Sequence, residues 1–124
     1  MKRAKGFTLI EVMIAVVILA IVAAVAFPSY QQYLVRSNRA EAQSFLMDLA
    51  QRQQQFIIDA RSYASTVAAL GATVPENVDR HYTIAIVSAV ATPPTFTITA
   101  TPRSGGMQAS DGNLTINQAG VKSW

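Results

Sequence analysis

A single carboxylate, Glu11, lies near the beginning of an apolar run, Phe7–Phe27, that contains no other ionisable side chain. An ionised side chain inside a membrane helix costs about 2.5 kcal/mol or more, so such a residue is a candidate for function and requires a partner. No basic residue of the chain is spaced to pair with Glu11 at membrane depth. Its partner must therefore belong to another molecule, or be a charge that is created after the chain is made.

The other residue types offer little for catalysis or for binding a metal. The chain has one histidine, His81, and no cysteine, which excludes a disulfide framework and a thiolate metal site. It has no glycine-rich phosphate loop and no paired-carboxylate motif. We therefore expect no enzyme activity, no cofactor and no metal site.

The formal net charge of +3 overstates how basic the chain is, because three of its ten Lys and Arg residues are Lys2, Arg3 and Lys5. Without them, seven basic residues face seven acidic ones, which is weak support for binding to nucleic acid. Scattered charges that keep the surface soluble are the simpler interpretation, but a DNA-binding patch stays open as an alternative. Four cations on predicted loops could converge to form it: Arg61, Arg80, Arg103 and Lys122.

The apolar run has the length of a membrane-spanning helix. Its 21 residues span about 30 Å at roughly 1.5 Å per residue, which is the thickness of a bilayer core. The basic residues before it predict that this end stays in the cytoplasm. A secretory signal peptide cut near AVAFPSY is an alternative, but the run is long for one and helical sequence resumes after Pro28. A plain signal anchor explains the length and the basic flank but leaves Glu11 without a role.

The sequence predicts one helix from about Thr8 to about Ile58, which includes the apolar run and continues beyond it. Pro28 should kink or locally melt it, because proline removes a backbone donor and crowds the preceding turn. Apolar residues then recur every three or four positions, which predicts that one face of the helix packs on other structure. Arg36 and Arg39 lie off this stripe and are candidates for contacts with another chain. The stripe consists of Leu34, Ala42, Phe45, Leu46, Leu49 and Phe56.

The remaining residues predict a loop over 59–81 and a sheet over 82–124. The segments HYTIAIVSAV, TFTITAT and NLTINQ are rich in β-branched residues, and TFTITAT alternates between apolar residues and threonine. Proline and glycine clusters separate these segments. We expect an α+β fold, in which the second half of the helix packs on three or four antiparallel strands.

The stretch KGFTLIE, with the basic leader before it and the apolar run after it, resembles the N-terminal signal of type IV pilins and pseudopilins. The resemblance implies that a prepilin peptidase cuts between Gly6 and Phe7 and methylates the new amino group. It also implies that Glu11 pairs with the Phe7 ammonium of a neighbouring subunit, and that the helix near Pro28 loses helicity when subunits pack. Glu11 and Pro28 are thus expected to act in assembly.

The likeness to type IV pilins extends beyond the signal. PSYQQYLVRSNRAEAQSFLMDLAQRQQQF, FTITATP and LTINQAG look like segments of PilE-type minor pilins and of the related ComP-type DNA-uptake pilins. The resemblance divides the chain into a cleaved leader over 1–6, an apolar transmembrane and assembly helix over 7–28, and a globular domain over 29–124. Within that domain the helix is expected to continue over 29–58.

The function implied by the resemblance is that of a structural subunit, a PilE-like minor pilin for pilus biogenesis, adhesion or twitching motility. The implied partners are other pilin subunits in a helical filament, the prepilin peptidase, the inner-membrane assembly machinery and, before assembly, the lipid bilayer. The implied location is the inner membrane, with a cytoplasmic N-terminus, and then the extracellular pilus. A DNA-binding minor pilin, a major pilin and a type II secretion pseudopilin stay open as alternatives.

One departure from the family concerns the end of the chain. Many relatives close this region with a disulfide, which a chain without cysteine cannot form. Residues 103–124 are therefore expected to be looser than in those relatives, or to be held by packing of Trp124.

Overall fold

The computed structural model describes residues 1 and 4–124, and the basic flank predicted at Lys2 and Arg3 lies outside the described residues. The described residues form two compact units, Met1–Leu34 and Val35–Trp124. The elements along the chain are α1 (Leu9–Ala60), a short 3₁₀ turn (Ala68–Leu70), α2 (Glu76–His81), β1 (Tyr82–Ala89), β2 (Thr95–Pro102), β3 (Leu114–Asn117) and β4 (Lys122–Ser123).

In the first unit, α1 is apolar on every side rather than along one stripe. This part of the helix is long and apolar enough to cross a membrane by length and composition, and none of it is buried within the chain. The large side chains of Leu19 and Phe27, for example, are 67% and 62% exposed. A helix that is apolar all round needs lipid or other helices around it, because no face of it is suited to water.

Pro28 lies inside α1 and does not end it, since the helix is continuous from Leu9 to Ala60. The predicted local melting is therefore not present in the single chain. Close to the proline, the hydroxyl of Ser29 donates to the carbonyl oxygen of Val25 at 3.4 Å. The loss of helicity implied for packed subunits stays a prediction.

In the second unit, residues 35–60 of α1 pack on one face of the sheet, which confirms the predicted α+β fold. The helix contributes buried residues from the predicted stripe: Ala42, Phe45, Leu46 and Leu49. The strands contribute a facing set of buried residues: Tyr82, Phe96, Ile98, Ala100, Leu114 and Ile116. Phe96 also meets the ring of Tyr63 edge to face, with ring centroids 4.7 Å apart.

The sheet has four antiparallel strands in the order β1-β2-β3-β4. Ile86, Ile98 and Ile116 are directly paired across the first three strands. Along β2, Phe96, Ile98 and Ala100 are buried, whereas the threonines between them are exposed or half-buried. A slip of one residue would turn this apolar row outward, so the alternation fixes the register of the sheet.

The segment predicted as a loop over 59–81 contains a second helix, α2, so the prediction was wrong for its last six residues. Pro75 precedes the helix, and Glu76 pairs with Arg80 one turn later at 2.9 Å. Carboxylates in the first turn and cations in the last turn both favour a helix. So short a helix shows little periodicity, which leaves Pro75 and these charges as its signals in the sequence.

Gln53 is a polar residue of α1 that is completely buried. Its amide nitrogen donates to the carbonyl oxygen of Ala64 at 2.7 Å, and its amide oxygen accepts from the Ala64 N–H at 2.8 Å. One side chain thus satisfies both backbone groups of Ala64. Gln53 holds the segment that follows α1 against the helix.

Gln53→Ala should lower the free energy of unfolding by about 2–4 kcal/mol, because it leaves the buried N–H and C=O of Ala64 without partners. Gln54→Ala, at an exposed neighbouring position, should change it by no more than about 0.5 kcal/mol. Urea unfolding of the full chain in a mild detergent, followed by circular dichroism, measures both values. Equal stability of the two variants would contradict this role for Gln53.

Candidate functional site

The carboxylate of Glu11 is held by Thr8 at the beginning of α1. The helix starts at Leu9, so Thr8 is the residue before it and Glu11 is its third residue. The Thr8 amide nitrogen and hydroxyl donate to Glu11 Oε2 at 2.7 and 2.8 Å, and the Glu11 amide nitrogen donates back to the Thr8 hydroxyl at 3.3 Å. This reciprocal arrangement is a capping box, which satisfies backbone N–H groups that the first turn of a helix leaves free.

The same geometry brings the carboxylate close to the backbone nitrogen of Phe7. Consecutive backbone nitrogens are at most about 3.7 Å apart. With Thr8 N at 2.7 Å from Glu11 Oε2, the Phe7 nitrogen lies within about 6.5 Å of that oxygen. An ammonium at this nitrogen would attract the carboxylate of its own chain, since opposite charges interact strongly at about 4–6 Å.

Gly6 and Phe7 have few contacts in their own chain. A Cβ added at Gly6 would meet no heavy atom within 4 Å, so the fold does not require glycine there. The side chain of Phe7 is 88% exposed. The backbone between these two residues is therefore open to another protein.

Of the four cations predicted as a DNA-binding patch, the structure brings two to the same place. Arg80 pairs with Glu76 at 2.9 Å, and Arg103 pairs with Asp79 at 2.9 Å. Arg80 lies on α2 itself, whereas Arg103 directly follows β2, and each is neutralised by a different carboxylate of α2. They form a junction of ion pairs rather than a positive patch.

The other two predicted cations lie elsewhere. Lys122 is on β4, where it pairs with Ile116 and stands 5.7 Å from the ring centroid of Trp124. Ile116 in turn pairs with Ile98 on β2. Arg103 is therefore two strands across from Lys122 and five residues further along, which is roughly 17 Å in the strand direction alone. Arg61 is exposed directly after α1.

Arg39 was predicted as a contact with another chain, but its guanidinium is engaged within its own chain. It forms an ion pair with Asp111 at 2.9 Å. Arg36 is exposed and stays a candidate.

Sequence reasoning missed Thr8, which holds Glu11. The signal was present as the pattern T-x-x-E immediately before an apolar run, which is typical of a capping box at the start of a helix.

Comparison with known proteins finds a matching family for each of two parts of the chain. Residues 1–27 match the prokaryotic N-terminal methylation motif. Residues 28–115 match the family described as "Type IV minor pilin ComP, DNA uptake sequence receptor". The chain belongs to the type IV pilin family. The resemblance drawn from KGFTLIE and the later segments is thereby confirmed, and this pilin is a structural subunit rather than a member of an enzyme family.

Several named relatives support this assignment. The pilin is 40% identical over 91 residues to the type IV wide pilus major component PilA4 of Thermus thermophilus, covering 73% of this chain and 70% of that protein. It is 36% identical over 103 residues to the fimbrial protein EcpC of Eikenella corrodens, covering 83% of this chain and 65% of that one. It is also 37% identical over 79 residues to the major pilin PilA of Myxococcus xanthus, covering 64% of this chain and 36% of that one.

Thr8→Val should weaken the start of α1 by about 1 kcal/mol, because it removes the hydroxyl that exchanges two hydrogen bonds with Glu11. Thr8→Ser keeps the hydroxyl and should restore the wild-type value. Amide exchange of Glu11 and Val12, measured by NMR on the full chain in micelles, should become about fivefold faster in the valine variant only. Similar rates in the two variants would mean that the hydroxyl does not stabilise the helix.

Proposed function

We propose that this pilin becomes a subunit of a type IV pilus in two steps. A prepilin peptidase first removes the leader over 1–6 by cutting between Gly6 and Phe7, and methylates Phe7. The helix over 7–28 then leaves the bilayer and packs against the same helix of neighbouring subunits. The observation that carries the proposal is the capped carboxylate of Glu11 at the head of an apolar helix that is exposed on every side.

The apolar surface of α1 is suited to the two environments that the proposal gives this helix in turn, the bilayer and the filament core. Exposed apolar area of this extent is not stable in water, so lipid covers it before assembly. A filament core made of other copies offers an equivalent apolar environment. The proposed location follows from this: the inner membrane, with the N-terminus in the cytoplasm, and then the extracellular pilus, reached through separate inner-membrane assembly machinery.

Glu11 supplies the specificity that apolar packing lacks. In the uncleaved chain the Phe7 backbone nitrogen is at most about 6.5 Å from Glu11 Oε2, so we expect its ammonium to interact with this carboxylate in the cleaved, free subunit. We infer that assembly exchanges this pair for one with the Phe7 ammonium of a neighbour. The exchange fixes the axial register, because a carboxylate displaced from its partner inside an apolar core costs about 3–5 kcal/mol.

Glu11→Gln should be cleaved like the wild type but should enter filaments about 100-fold less efficiently, because it loses the charge. Glutamine also serves at this position of a capping box, so the start of the helix is preserved. Glu11→Ala, which loses both charge and cap, should be no better. Quantitative mass spectrometry of sheared filaments and of membranes measures the incorporation. Wild-type incorporation of Glu11→Gln would contradict the proposed pairing.

Gly6→Val should block cleavage, because we expect the peptidase to require glycine before the cut. It should leave the fold undisturbed, because a side chain at this position meets no atom of its own chain. The intact mass should then include the leader and lack the methyl group, and the variant should stay in the membrane fraction. Sheet structure by circular dichroism is the control. A mature mass for this variant would show that the peptidase does not require glycine before the cut.

The proposed class is a PilE-like minor subunit, because the family that matches residues 28–115 is described as a minor pilin. Two of the relatives above are major pilus components by name, so a major pilin is the main rival, and a secretion pseudopilin is another. The abundance of this chain in sheared filaments, relative to other pilins, distinguishes these classes.

DNA binding is a second candidate function, and the description of the matched family as a DNA uptake sequence receptor favours it. The ion pairs of Arg80 and Arg103 oppose it, because paired arginines attract phosphate less strongly. If the alternative holds, Asp79→Asn should release Arg103 and increase DNA retention at low salt, and Arg103→Ala should reduce it. No retention by any of these proteins at low salt would rule the function out.

A further inference from the structure

The geometry points to a strap, defined as residues 103–113 between β2 and β3, that opens as a unit of its own and is held closed by the side chain of Asp111. The strap passes the end of the sheet and reaches both α1 and β1. Its closure uses polar side chains in a chain that has no cysteine.

Asp111 accepts hydrogen bonds from three different elements. Its Oδ2 accepts from the hydroxyl of Tyr82 on β1 at 2.6 Å and pairs with Arg39 Nη1 of α1 at 2.9 Å. The same atom accepts from Gln108 Nε2 of the strap at 3.2 Å. Arg39 also donates to the Asp111 carbonyl oxygen at 2.8 Å. Hydrogen bonds that involve charged groups are stronger than neutral ones, so Asp111 is the main attachment of the strap.

Gln108 provides the second attachment. It is 1% exposed, and the two hydrogens of its Nε2 are shared among three acceptors, which are the Tyr82 hydroxyl at 2.8 Å, the Val35 carbonyl oxygen at 3.2 Å and Asp111 Oδ2 at 3.2 Å. Asn38 Nδ2 donates to its Oε1 at 3.4 Å. All these groups meet around the hydroxyl of Tyr82 and the carboxylate of Asp111, so the attachments form one network.

At its first residue, the strap is held by Arg103, whose backbone nitrogen donates to the His81 carbonyl oxygen at 2.9 Å and whose Nε donates to the Asp79 carbonyl oxygen at 2.6 Å. The rest of the strap has little to hold it in place. Its one large apolar residue, Met107, is 42% exposed, and Gly105, Gly106 and Gly112 add flexibility. Within the strap, two backbone hydrogen bonds are described, from Ala109 N to Gly106 O and from Asp111 N to Gln108 O. Such a segment has few buried apolar contacts, which is the property of regions that open locally while the core stays folded.

The pKa of Tyr82 agrees with a network that holds its hydroxyl against Asp111. Burial, followed by the hydrogen bond to Asp111, raises the pKa of Tyr82 to about 12. The charged groups that face its hydroxyl are Asp111 from the strap and Arg39 from α1, whereas α2 contributes the uncharged Asn77 further out in the network. A raised pKa means that the stabilisation which the neutral Tyr82 hydroxyl gives the closed state is fully present below the ordinary value of 10.0 and is lost as the pH rises through about 12.

Hydrogen exchange of the full chain in micelles at neutral pH, read by mass spectrometry, tests the strap. Asp111→Asn should speed exchange of the strap peptide by at least about tenfold, and Asp111→Ala by more, because charged hydrogen bonds are lost. Peptides from β2 and β3 should exchange as in the wild type. The matched control is Asp79→Asn, which breaks an exposed ion pair to Arg103 at the first residue of the strap and should change little.

Three results would overturn the proposal: unchanged exchange of the strap in Asp111→Asn, an equal increase in the strap and the sheet, or an equal effect of Asp79→Asn. A second measurement is independent of exchange. Phenolate absorbance of Tyr82, taken as the difference between the wild type and Tyr82→Phe, should appear near pH 12 and should shift to lower pH in Asp111→Asn. An unshifted titration would show that Asp111 does not hold the tyrosine.

Discussion

The charge of Glu11 in an apolar helix is the constraint to which the rest of this pilin is fitted. A carboxylate at that depth is costly unless donors surround it. In the single chain, Thr8 supplies two donors to one oxygen. Under the proposed function, a positive charge at Phe7 becomes available to this carboxylate only after the backbone before it has been cut. Glu11 would then connect processing with assembly.

One helix serves two different surroundings because its apolar pattern changes along its length. In the first unit it is apolar on every side, which suits lipid and later other helices. In the second unit it is apolar along one stripe, and Leu46 and Leu49 of that stripe are completely buried against the sheet. The second unit thus has a core of its own, and the apolar part of the helix in the first unit is exposed.

The elements that were predicted correctly are those with a period. The stripe of α1 and the alternation in β2 each repeat often enough to indicate their structure from sequence alone, and the long apolar run indicates a helix by its length. The helix α2 was missed because six residues hold too few repeats. Gln53 and Asp111 were missed for another reason. Their roles depend on residues 11 and 29 positions away, Ala64 and Tyr82, and no local pattern records which distant polar groups will meet.

The distribution of ion pairs explains why the N-terminal carboxylate is suited to bind a partner from outside. In the second unit, Asp48, Glu76, Asp79 and Asp111 each neutralise an arginine of the same chain, so most of its Asp and Glu side chains are paired internally. Glu11 instead receives hydrogen bonds from the neutral groups of Thr8, which orient the carboxylate without cancelling its charge. Since water cannot screen that charge in an apolar environment, its attraction for an ammonium is far stronger there than for a surface pair. Capping by neutral groups thus leaves the charge of Glu11 available to the cationic partner that the proposed function gives it.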